Sequence, residues 1–411
     1  MNSFDLIIIG AGAAGLFAAG KCSSGEIKTA VFDSMNSPGR KLLLTGQGRC
    51  NITNSARLPE FITRYGNKER FVRKCLYSFG GEELTQYLSV AGLELVSRDD
   101  GKVFPTSERA SDVLKCLLRV CRKSYIDFNF GSRVASIEYN DGVFTLASEN
   151  GISASAPRLL IAAGGYTFPS TGSRGDGFKL AASLGHNIIT PRPALSAVST
   201  TQKDFTCCAG ISIDAASVLF RDNKKISRRR GALLFTHTGL SGPLIIDNSR
   251  EMRPGDSLEV SLLPDYREAE LSAAVLSFCA VHGRSRLKSF LTKLSLPERL
   301  AAAVFERAGL DPGKTAAEIT KKERNSLLRS IEGLTFTIER LDGKNKAMCT
   351  SGGVDTAEIN PSTMESRLIS GLYFAGEVID VDGDSGGYNL QFAFSSAFAA
   401  SESITAHQKR K

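Results

Sequence analysis

The chain has 411 residues, of which 42% are hydrophobic and 23% charged, a composition typical of a globular protein with more than one domain. Its net charge is +8, but the basic residues are scattered except for Lys224-Lys225 and Arg228-Arg229-Arg230. We interpret that cluster as a solvated loop, so the charge argues against nucleic acid as the principal partner. Nine cysteines without a C-x-x-C pair exclude the disulfide framework of a small secreted protein and indicate reduced thiols.

Hydropathy along the chain excludes two further classes. The longest apolar stretches, at 159–163 and 392–400, are far shorter than the roughly 20 residues of a membrane span. The first residues enter an apolar strand without the features of a signal peptide. The sequence therefore predicts a soluble, cytoplasmic protein.

The first elements form a β-α-β unit. An apolar β-branched run predicts a strand at 4–9, a Gly-rich turn follows at 10–15, and a helix at 16–22 leads to a second buried strand at 28–32. Such a unit opens a parallel sheet. Further along, the patterns predict a long polar loop (36–55), helices (68–92 and 108–123), a hairpin around Asn140-Asp141-Gly142 (131–148) and a buried strand (157–162).

The middle of the chain has a different pattern. Alternating strands between 193 and 263 predict a small antiparallel barrel or sheet, and Leu/Ala stripes between 266 and 331 predict helices. Strand character returns at 334–349. The last sixty residues are predicted to contain a strand at 371–375, a Gly-rich loop and a helix from about Tyr388.

The Gly-rich turn has the pattern of a dinucleotide-binding site. Gly10, Gly12 and Gly15 follow a strand and open a helix, and Asp33 ends the next strand. In this arrangement the glycines allow a tight turn and a close approach of pyrophosphate, and the helix N-terminus stabilises the anion. Asp33 is expected to accept hydrogen bonds from the adenosine ribose.

The C-terminal segment favours FAD over NAD. The strand at 371–375 ends in Gly376-Glu377, and Gly387-Tyr388-Asn389-Leu390 then begins a helix. In flavoproteins with two dinucleotide folds, such a strand end lies under the ribityl chain, so Glu377 is expected to accept a ribityl hydrogen bond. The helix N-terminus is expected to point at the flavin N1/C2 carbonyl edge, where negative charge collects in the reduced flavin.

Five blocks together resemble one family. They are 39–42, 46–54, 236–243, 352–354 and 376–391. The resemblance is to bacterial flavoproteins named NAD(P)/FAD-dependent oxidoreductase, aminoacetone oxidase family FAD-binding enzyme, or 3-dehydro-bile-acid delta(4,6)-reductase-like protein, and it spans residues 5–399. Asp33 is a departure, because many members carry Glu there.

The resemblance implies an α/β fold with a glutathione-reductase-like FAD-binding Rossmann domain built from both chain ends, a small middle β-barrel and a helical insert. The expected domains are 1–192 and 351–411 for FAD, 193–264 and 333–350 for the substrate barrel, and 265–332 for the insert. The resemblance also places Arg40, Lys41 and the 46–54 loop against the cofactor, with a backbone contact near Val134 and Ala163-Gly164 beside it.

The complete predicted site binds FAD non-covalently and contains no metal. The expected cofactor-binding residues are Gly10, Gly12, Ala13, Ala14, Gly15, Asp33, Ser34, Arg40, Lys41, Gly46, Gly48, Arg49, Cys50, Asn51, Val134, Ala163, Gly164, Gly376, Glu377, Gly387, Tyr388, Asn389 and Leu390.

Cysteine and histidine residues are the candidate catalytic groups. Cys50 has no neighbouring partner, and Cys116 and Cys121 fall on an apolar helix, so a disulfide reductase is rejected. The vicinal pair Cys207-Cys208 receives no function. His237, in a Gly/Ser-rich block of the middle domain, is the candidate proton donor or acceptor, with a structural histidine as its alternative.

These features predict an FAD-dependent oxidoreductase that transfers hydride through flavin N5 to or from a small-molecule substrate admitted between the FAD domain and the barrel. The resemblance favours a reductase of an activated C=C bond. Its reductant would be NAD(P)H, bound transiently because the sequence has no second Gly-rich fingerprint. An O2-using amine or aminoketone oxidase is the alternative enzyme. A flavin-dependent RNA-associated factor using 224–230, or a redox sensor, is the alternative of another class. The oligomeric state is left open.

Overall fold

The structure is a computed structural model that describes residues 2–23, 27–121, 126–311 and 313–408. It divides into two compact units. Unit 1 comprises Met1–Pro193 and Lys344–Lys411, and unit 2 comprises Ala194–Gly343. The chain therefore leaves the first unit once and returns to complete it, as the predicted two-part FAD domain requires.

Unit 1 is built on a five-stranded parallel sheet. Its strands, in spatial order, are Leu372–Phe374, Leu159–Ile161, Leu6–Ile9, Thr29–Asp33 and Ile126–Phe130. The three central strands are almost wholly buried, which explains why their sequences are continuous apolar runs rather than alternating ones. Both chain ends meet in this sheet, because the strand from the C-terminal segment pairs with Leu159–Ile161 in the register Leu160 to Tyr373.

Two helices cover the centre of the sheet. We call Ala13–Ser23 the Gly-rich helix and Tyr388–Gln408 the C-terminal helix. They pack together through Phe17 and Phe394, whose ring centroids are 5.4 Å apart. The Gly376 amide also donates to Ser396 Oγ at 2.9 Å, which ties the C-terminal helix to the end of its own strand. These contacts fix both helix N-termini relative to the sheet.

Smaller sheets complete unit 1. Their strands are Asn2–Ser3, Val134–Asn140, Val143–Ser148 and Ser153–Ala156; Thr53–Asn54, Leu95–Ser97 and Lys102–Pro105; and Ile188–Ala194 with Cys349–Val354. The predicted hairpin turn is confirmed, since Asp141 and Gly142 both have positive φ, as a two-residue type I′ turn requires. The other α-helices are Leu58–Thr63, Glu69–Ser78, Gly81–Val90, Ala110–Cys121 and Asp176–Ser183. Residues 122 and 123 of the predicted helix 108–123 lie outside the described residues.

Unit 2 combines a closed six-stranded barrel with helices. The strands, in barrel order, are Val198–Thr200, Gly239–Ser241, Lys224–Phe235, Ser212–Arg221, Ser257–Ser261 and Leu334–Leu341. The α-helices are Pro243–Asn248, Glu268–Val281, Lys288–Lys293, Glu298–Arg307 and Lys321–Glu332. Barrel side chains such as Phe235 and Phe336 share one hydrophobic core with helical side chains such as Leu271 and Leu300. The predicted insert is thus part of the barrel unit.

The second boundary of unit 2 differs from the sequence prediction. The barrel segment predicted at 333–350 ends at Gly343. The reason is that Cys349–Val354 forms a strand with Ile188–Ala194 in unit 1. A single stretch of strand character at 334–349 therefore contains the end of one unit and the return to the other.

Candidate functional site

The Gly-rich turn lies where Leu6–Ile9 ends and the Gly-rich helix begins. Gly10 has φ +103°, and a Cβ there would lie 2.4 Å from the Ala162 carbonyl oxygen. A Cβ on Gly15 would lie 1.8 Å from the Gly10 carbonyl oxygen, so this glycine allows the helix to pack against the turn. Gly12 differs, since its Cβ would meet no atom within 4 Å. Gly12 therefore leaves open space beside the helix N-terminus, which is where a pyrophosphate would approach.

Asp33 holds this turn in place. Its Oδ2 accepts from the Ala11 amide at 2.7 Å, and its Oδ1 accepts from the Met35 amide at 2.8 Å. Burial raises the pKa of the Asp33 carboxyl, and the two amide hydrogen bonds oppose that rise. A carboxylate has about four acceptor positions, so a ribose hydroxyl can still donate to it. Ribose binding by Asp33 stays a prediction. The two hydrogen bonds that hold the turn are a structural role that the sequence did not predict.

Lys41 and Glu377 form a polar cluster at the sheet's carboxyl edge. Lys41 Nζ lies 2.9 Å and 2.7 Å from the two Glu377 carboxylate oxygens and donates to Thr167 Oγ1 at 2.8 Å. Glu377 Oε1 also accepts from the Thr350 amide at 2.8 Å. Lys41 is therefore neutralised within the protein, whereas the exposed Arg40 makes no ion pair with any described residue. Arg40 is the cation of this pair that is available to an anionic ligand.

The C-terminal helix brings a second N-terminus to the same edge. Asn389 closes the preceding loop, since its Oδ1 accepts from the Gly383 amide and its Nδ2 donates to the Gly383 carbonyl, both at 2.9 Å. Asn389 and Leu390 line the cleft described below. Gly387 and Tyr388 instead serve packing, because a Gly387 Cβ would lie 2.4 Å from Thr53 O and the Tyr388 ring lies 4.6 Å from that of Phe61.

These elements enclose one cleft within unit 1, open to solvent at its mouth. It runs along the carboxyl edge of the parallel sheet, where dinucleotides bind in folds of this kind. The predicted residues that line it are Gly10, Gly12, Ala13, Ala14, Asp33, Ser34, Arg40, Lys41, Val134, Ala163, Gly164, Gly376, Glu377, Asn389 and Leu390. The open space at Gly12, two helix N-termini and an unpaired Arg40 suit an anionic dinucleotide, so the residues present fit FAD.

Other predicted residues lie outside the lining, and the FAD role of each stays a prediction. They are Gly15, Gly46, Gly48, Arg49, Cys50, Asn51, Gly387 and Tyr388. Arg49 stacks over the Phe104 ring at 5.6 Å and donates to Gly46 O. Cys50 is fully buried, and burial raises the pKa of its thiol to about 12. At neutral pH it is a protonated thiol that packs in the core.

Several lining residues belong to no sequence pattern and were not predicted. Arg133 and Asp176 both line the cleft and form a two-point ion pair, with Nε to Oδ2 at 2.9 Å and Nη2 to Oδ1 at 2.6 Å. They are 43 residues apart and belong to no motif, although an acid in the first turn of Asp176–Ser183 is a weak indication. Cys349 and Thr45 also line the cleft without a preceding pattern.

Candidates outside the cleft are structural or exposed. His237 is exposed in the turn between Lys224–Phe235 and Gly239–Ser241, and its catalytic role stays a prediction. Cys116 and Cys121 are buried. The sulfur atoms of Cys207 and Cys208 lie 3.8 Å apart as free thiols. Among the described residues, no three His, Cys, Asp or Glu side chains are grouped as a metal site.

The parallel sheet and its cleft define a Rossmann-type dinucleotide-binding protein. Residues 4–403 match the HI0933-like protein Rossmann domain family, and the chain belongs to this family. The enzyme class predicted from the sequence, an FAD-dependent oxidoreductase, is confirmed. Every helix of the described residues is too short or too polar to cross a membrane.

Curated relatives match the chain along nearly its whole length. Ribosomal RNA dihydrouridine synthase of Escherichia coli (strain K12) is 32% identical over 409 residues, 99% of each chain. The protein of the same name from Haemophilus influenzae is 33% identical, over 97% of this chain and 98% of its own. The 3-dehydro-bile acid delta(4,6)-reductase of Clostridium scindens is 30% identical, over 96% and 97%.

Solved structures share the fold at low sequence identity. A flavocytochrome c3 fumarate reductase has a TM-score of 0.53 at 15% identity, over 99% of this chain and 78% of that one. A 3-ketosteroid-delta4-(5alpha)-dehydrogenase from Rhodococcus jostii RHA1 has a TM-score of 0.53 at 13% identity, over 98% and 97%.

Proposed function

We propose that the chain is an FAD-dependent reductase of a C=C bond conjugated to a carbonyl, and that this bond is C5=C6 of a uridine in ribosomal RNA. The cleft in unit 1, lined by two helix N-termini and the unpaired Arg40, is the observation that carries the proposal. Two relatives are named for dihydrouridine formation in ribosomal RNA, and a third for reducing a delta(4,6) 3-dehydro-bile acid. Uridine has a C4 carbonyl conjugated to its C5=C6 bond. The name 3-dehydro-bile acid delta(4,6)-reductase likewise describes a substrate whose double bonds are conjugated to a 3-oxo group.

The chemistry shared by these substrates is a two-electron reduction. When bound and already reduced by NAD(P)H, the flavin would supply a hydride to the carbon β to the carbonyl and return to its oxidised form, while the α carbon takes a proton, so the substrate gains two hydrogens. The protein's own residues bind and orient. The Gly-rich helix N-terminus and Arg40 are proposed to bind the pyrophosphate, and Asp33 a ribose hydroxyl.

Glu377 and its partners have a positioning role in this proposal. The Glu377 carboxylate is fixed by Lys41, Thr167 and the Thr350 amide, so it cannot swing away from the cleft. Oε2 accepts only from Lys41 within the described residues, which leaves it able to accept from a ribityl hydroxyl. A fixed acceptor orients the cofactor without a loss of side-chain entropy on binding.

We propose NAD(P)H as the source of electrons. Because the sequence has one dinucleotide fingerprint, the nicotinamide would bind transiently where the substrate later binds. His237 remains the proposed proton donor, and a His237→Gln variant that reduces its flavin normally but forms product at least tenfold more slowly would support that role.

The test begins with the purified protein under anaerobic conditions. We expect the visible bands of oxidised flavin, bleached by NADPH or NADH. The reduced enzyme is then incubated with protein-free ribosomal RNA from cells that lack the gene, and nucleosides are analysed by mass spectrometry. Dihydrouridine, heavier than uridine by two hydrogen atoms, is the expected product.

Three other results would overturn parts of the proposal. Reduction of a steroid dienone with ribosomal RNA unchanged would reject uridine as the substrate. Peroxide formation from an aminoketone and O2, with slow reduction by NAD(P)H, would favour an oxidase. A protein that binds no FAD after reconstitution would reject the proposal as a whole.

A further inference from the structure

The helix Glu69–Ser78 in unit 1 has one buried side and one basic side. Its buried residues are Phe71, Val72, Cys75 and Leu76. Arg70, Arg73, Lys74 and Tyr77 are exposed, and their spacing of i, i+3, i+4 and i+7 places them on one side of the helix. We call these four residues the basic face, and it extends roughly 10 Å along the helix axis.

The cations of the basic face are unpaired. Within the described residues, Arg70, Arg73 and Lys74 make no ion pair. Of the six cations in residues 57–77, Arg64 and Lys68 pair with Asp384 and Asp380, so the free cations of this segment are those of the basic face and Arg57. Free cations on one side of a helix produce a local positive field that attracts polyanions.

The basic cluster from Lys224 to Arg230, predicted to be a solvated loop, lies instead on the barrel strand Lys224–Phe235, because it pairs with Ser212–Arg221. Arg229 lies 3.5 Å from Glu251, and Arg230 lies 2.6 Å from Asp214 and 2.7 Å from Asp265. Two of the three arginines in this cluster are therefore neutralised by acids of unit 2. Lys224, Lys225 and Arg228 remain exposed and make no ion pair within the described residues, so this strand is the rival anion-binding surface that the test must distinguish from the basic face.

Tyr77 adds a second chemistry to the basic face. Its side chain is 62% exposed, which is unusual for a large aromatic residue that has a hydrophobic core nearby. Unpaired bases stack on exposed aromatic rings, and each stack contributes about 1–3 kcal/mol. Cations at one end of the helix and an aromatic ring at the other match the alternation of phosphate and base along a single strand.

The basic face is attached to the loop that borders the cofactor cleft. Lys68, immediately before the helix, forms an ion pair with Asp380. The Asp384 amide donates to Arg64 O at 3.0 Å, and Tyr65 Oη donates to Tyr388 O at 2.8 Å. The loop 380–387 leads directly into Asn389 and Leu390 of the cleft. A strand held on the basic face would therefore be held by the same unit that binds FAD.

We infer that the basic face binds the RNA that contains the target uridine, with Arg70, Arg73 and Lys74 contacting phosphates and Tyr77 stacking on an unpaired base. This inference rests on the proposed function. An anionic membrane is the less suitable partner, because the apolar side of the helix is buried in unit 1 and only Tyr77 remains exposed to insert.

The test compares three variants of the FAD-bound protein. The face variant carries Arg70→Gln, Arg73→Gln and Lys74→Gln. The matched control carries Lys321→Gln, Lys322→Gln and Arg329→Gln, which removes three exposed charges from a helix of unit 2. The barrel-strand variant carries Lys224→Gln, Lys225→Gln and Arg228→Gln. All substituted side chains are exposed, and the flavin spectrum and Tm of each variant check that it is folded.

Binding of protein-free ribosomal RNA is measured by filter binding between about 50 and 200 mM salt. The face variant is expected to bind at least about tenfold more weakly. Its slope of log affinity against log salt should fall by about 2, since each lost phosphate contact removes about 0.7 for a single strand. A Tyr77→Leu variant should bind about fivefold more weakly with its salt slope unchanged. The control should bind like the wild type.

Failure of this inference and failure of the proposed function give different results. If the wild type forms dihydrouridine and the face variant binds RNA as tightly and with the same slope, the basic face is rejected and the function stands. If the barrel-strand variant alone loses binding, the site lies in unit 2 and the inference is overturned. If the face variant loses binding to vesicles of anionic phospholipid but not to RNA, the partner is a membrane. If RNA binding depends on the face but no dihydrouridine forms, the inference holds and the proposed function fails.

Discussion

Lys41 and Glu377 are 336 residues apart in sequence, yet their ion pair joins the two segments that build the cofactor cleft. Both side chains are about three-quarters buried, so the pair is more strongly coupled than an exposed one. Glu377 also accepts from the Thr350 amide, which makes its charge part of a fixed network. The loss of one partner would therefore leave a charge that water solvates poorly.

We expect Lys41→Met to lower the free energy of unfolding by about 1–3 kcal/mol, because Glu377 loses its cation while remaining mostly buried. Urea unfolding followed by circular dichroism measures this change. The matched control is Lys102→Met, which breaks the exposed pair with Asp100 and should cost less than about 1 kcal/mol. Equal losses in the two variants would contradict a stabilising role for the Lys41 pair.

His186 forms a second buried polar link in unit 1. Its Nδ1 lies 3.0 Å from Glu358 Oε2, and its Nε2 lies 2.9 Å from Ser366 Oγ. Ser366 Oγ already accepts from the Leu368 and Ile369 amides, so its own proton donates to Nε2 and the Nδ1 proton donates to Glu358. Burial lowers the pKa of His186, and Glu358 opposes that change. The neutral ring is therefore the form that the fold selects.

The lowered pKa of His186 makes the folded protein less stable at low pH. The unfolded chain takes up a proton near pH 6.5, while the folded chain takes it up only at lower pH, so stability is present above about 6.5 and is lost as pH falls. We expect His186→Gln to be less stable than wild type by about 1–3 kcal/mol at about pH 7.5, with a smaller difference at about pH 5. Urea unfolding at both pH values measures it. The exposed His237→Gln is the control, and a pH-independent difference for His186→Gln would reject the assignment.

At the scale of elements, two glycines of the Gly-rich turn have different roles. One is needed for folding and the other for cofactor binding. A Cβ on Gly15 would lie 1.8 Å from the Gly10 carbonyl oxygen, whereas a Cβ on Gly12 would meet nothing within 4 Å. Gly15→Ala should therefore destabilise the protein by about 3 kcal/mol or more, because the Gly-rich helix must move away from the strand. Gly12→Ala should unfold within about 1 kcal/mol of wild type.

The cofactor distinguishes these two variants further. The new methyl group of Gly12→Ala would occupy the space where pyrophosphate approaches, so we expect FAD to bind at least tenfold more weakly, a loss of about 1.4 kcal/mol. Titration of the apoprotein with FAD, followed by flavin fluorescence, measures this. Unchanged FAD affinity in a folded Gly12→Ala protein would show that the pyrophosphate does not bind at this turn.

The elements were predictable where one physical cause dominates. Apolar runs predicted the strands Leu6–Ile9 and Thr29–Asp33, and Leu/Ala periodicity predicted the helix Glu268–Val281. The cleft was predicted only in part, because the two halves of a pair such as Arg133 and Asp176 carry no pattern along the chain. Their proximity depends on tertiary packing, which a sequence reading does not contain.

At the scale of the whole molecule, every residue that lines the cofactor cleft belongs to unit 1. FAD at 100 times its Kd should therefore stabilise unit 1 by about 2.7 kcal/mol. Hydrogen exchange measured by mass spectrometry should show added protection in 2–193 and 344–408. Residues 194–343 are the internal control and should exchange at the same rate with and without FAD. Equal protection of both units would contradict the assignment of the cofactor to unit 1.

The sequence predicted the overall architecture correctly, but it did not predict every domain boundary. The fold class was predicted because two Gly-rich motifs, each after a buried strand, mark the two segments of one cofactor domain. The boundary near 350 was wrong because strand propensity does not show which sheet a strand joins, and Cys349–Val354 joins unit 1.

The strand order of the parallel sheet means that the sheet cannot be completed early in synthesis. Leu159–Ile161 pairs with Leu372–Phe374, which is translated more than two hundred residues later. At about 5–20 residues per second, the nascent strand waits roughly 10–40 seconds for that neighbour. Unit 2 is a continuous segment translated during this interval, so it can fold first. The flavin can load only after this return, because the part of its binding cleft that is formed by 375–393 does not exist until the C-terminal helix has left the ribosome.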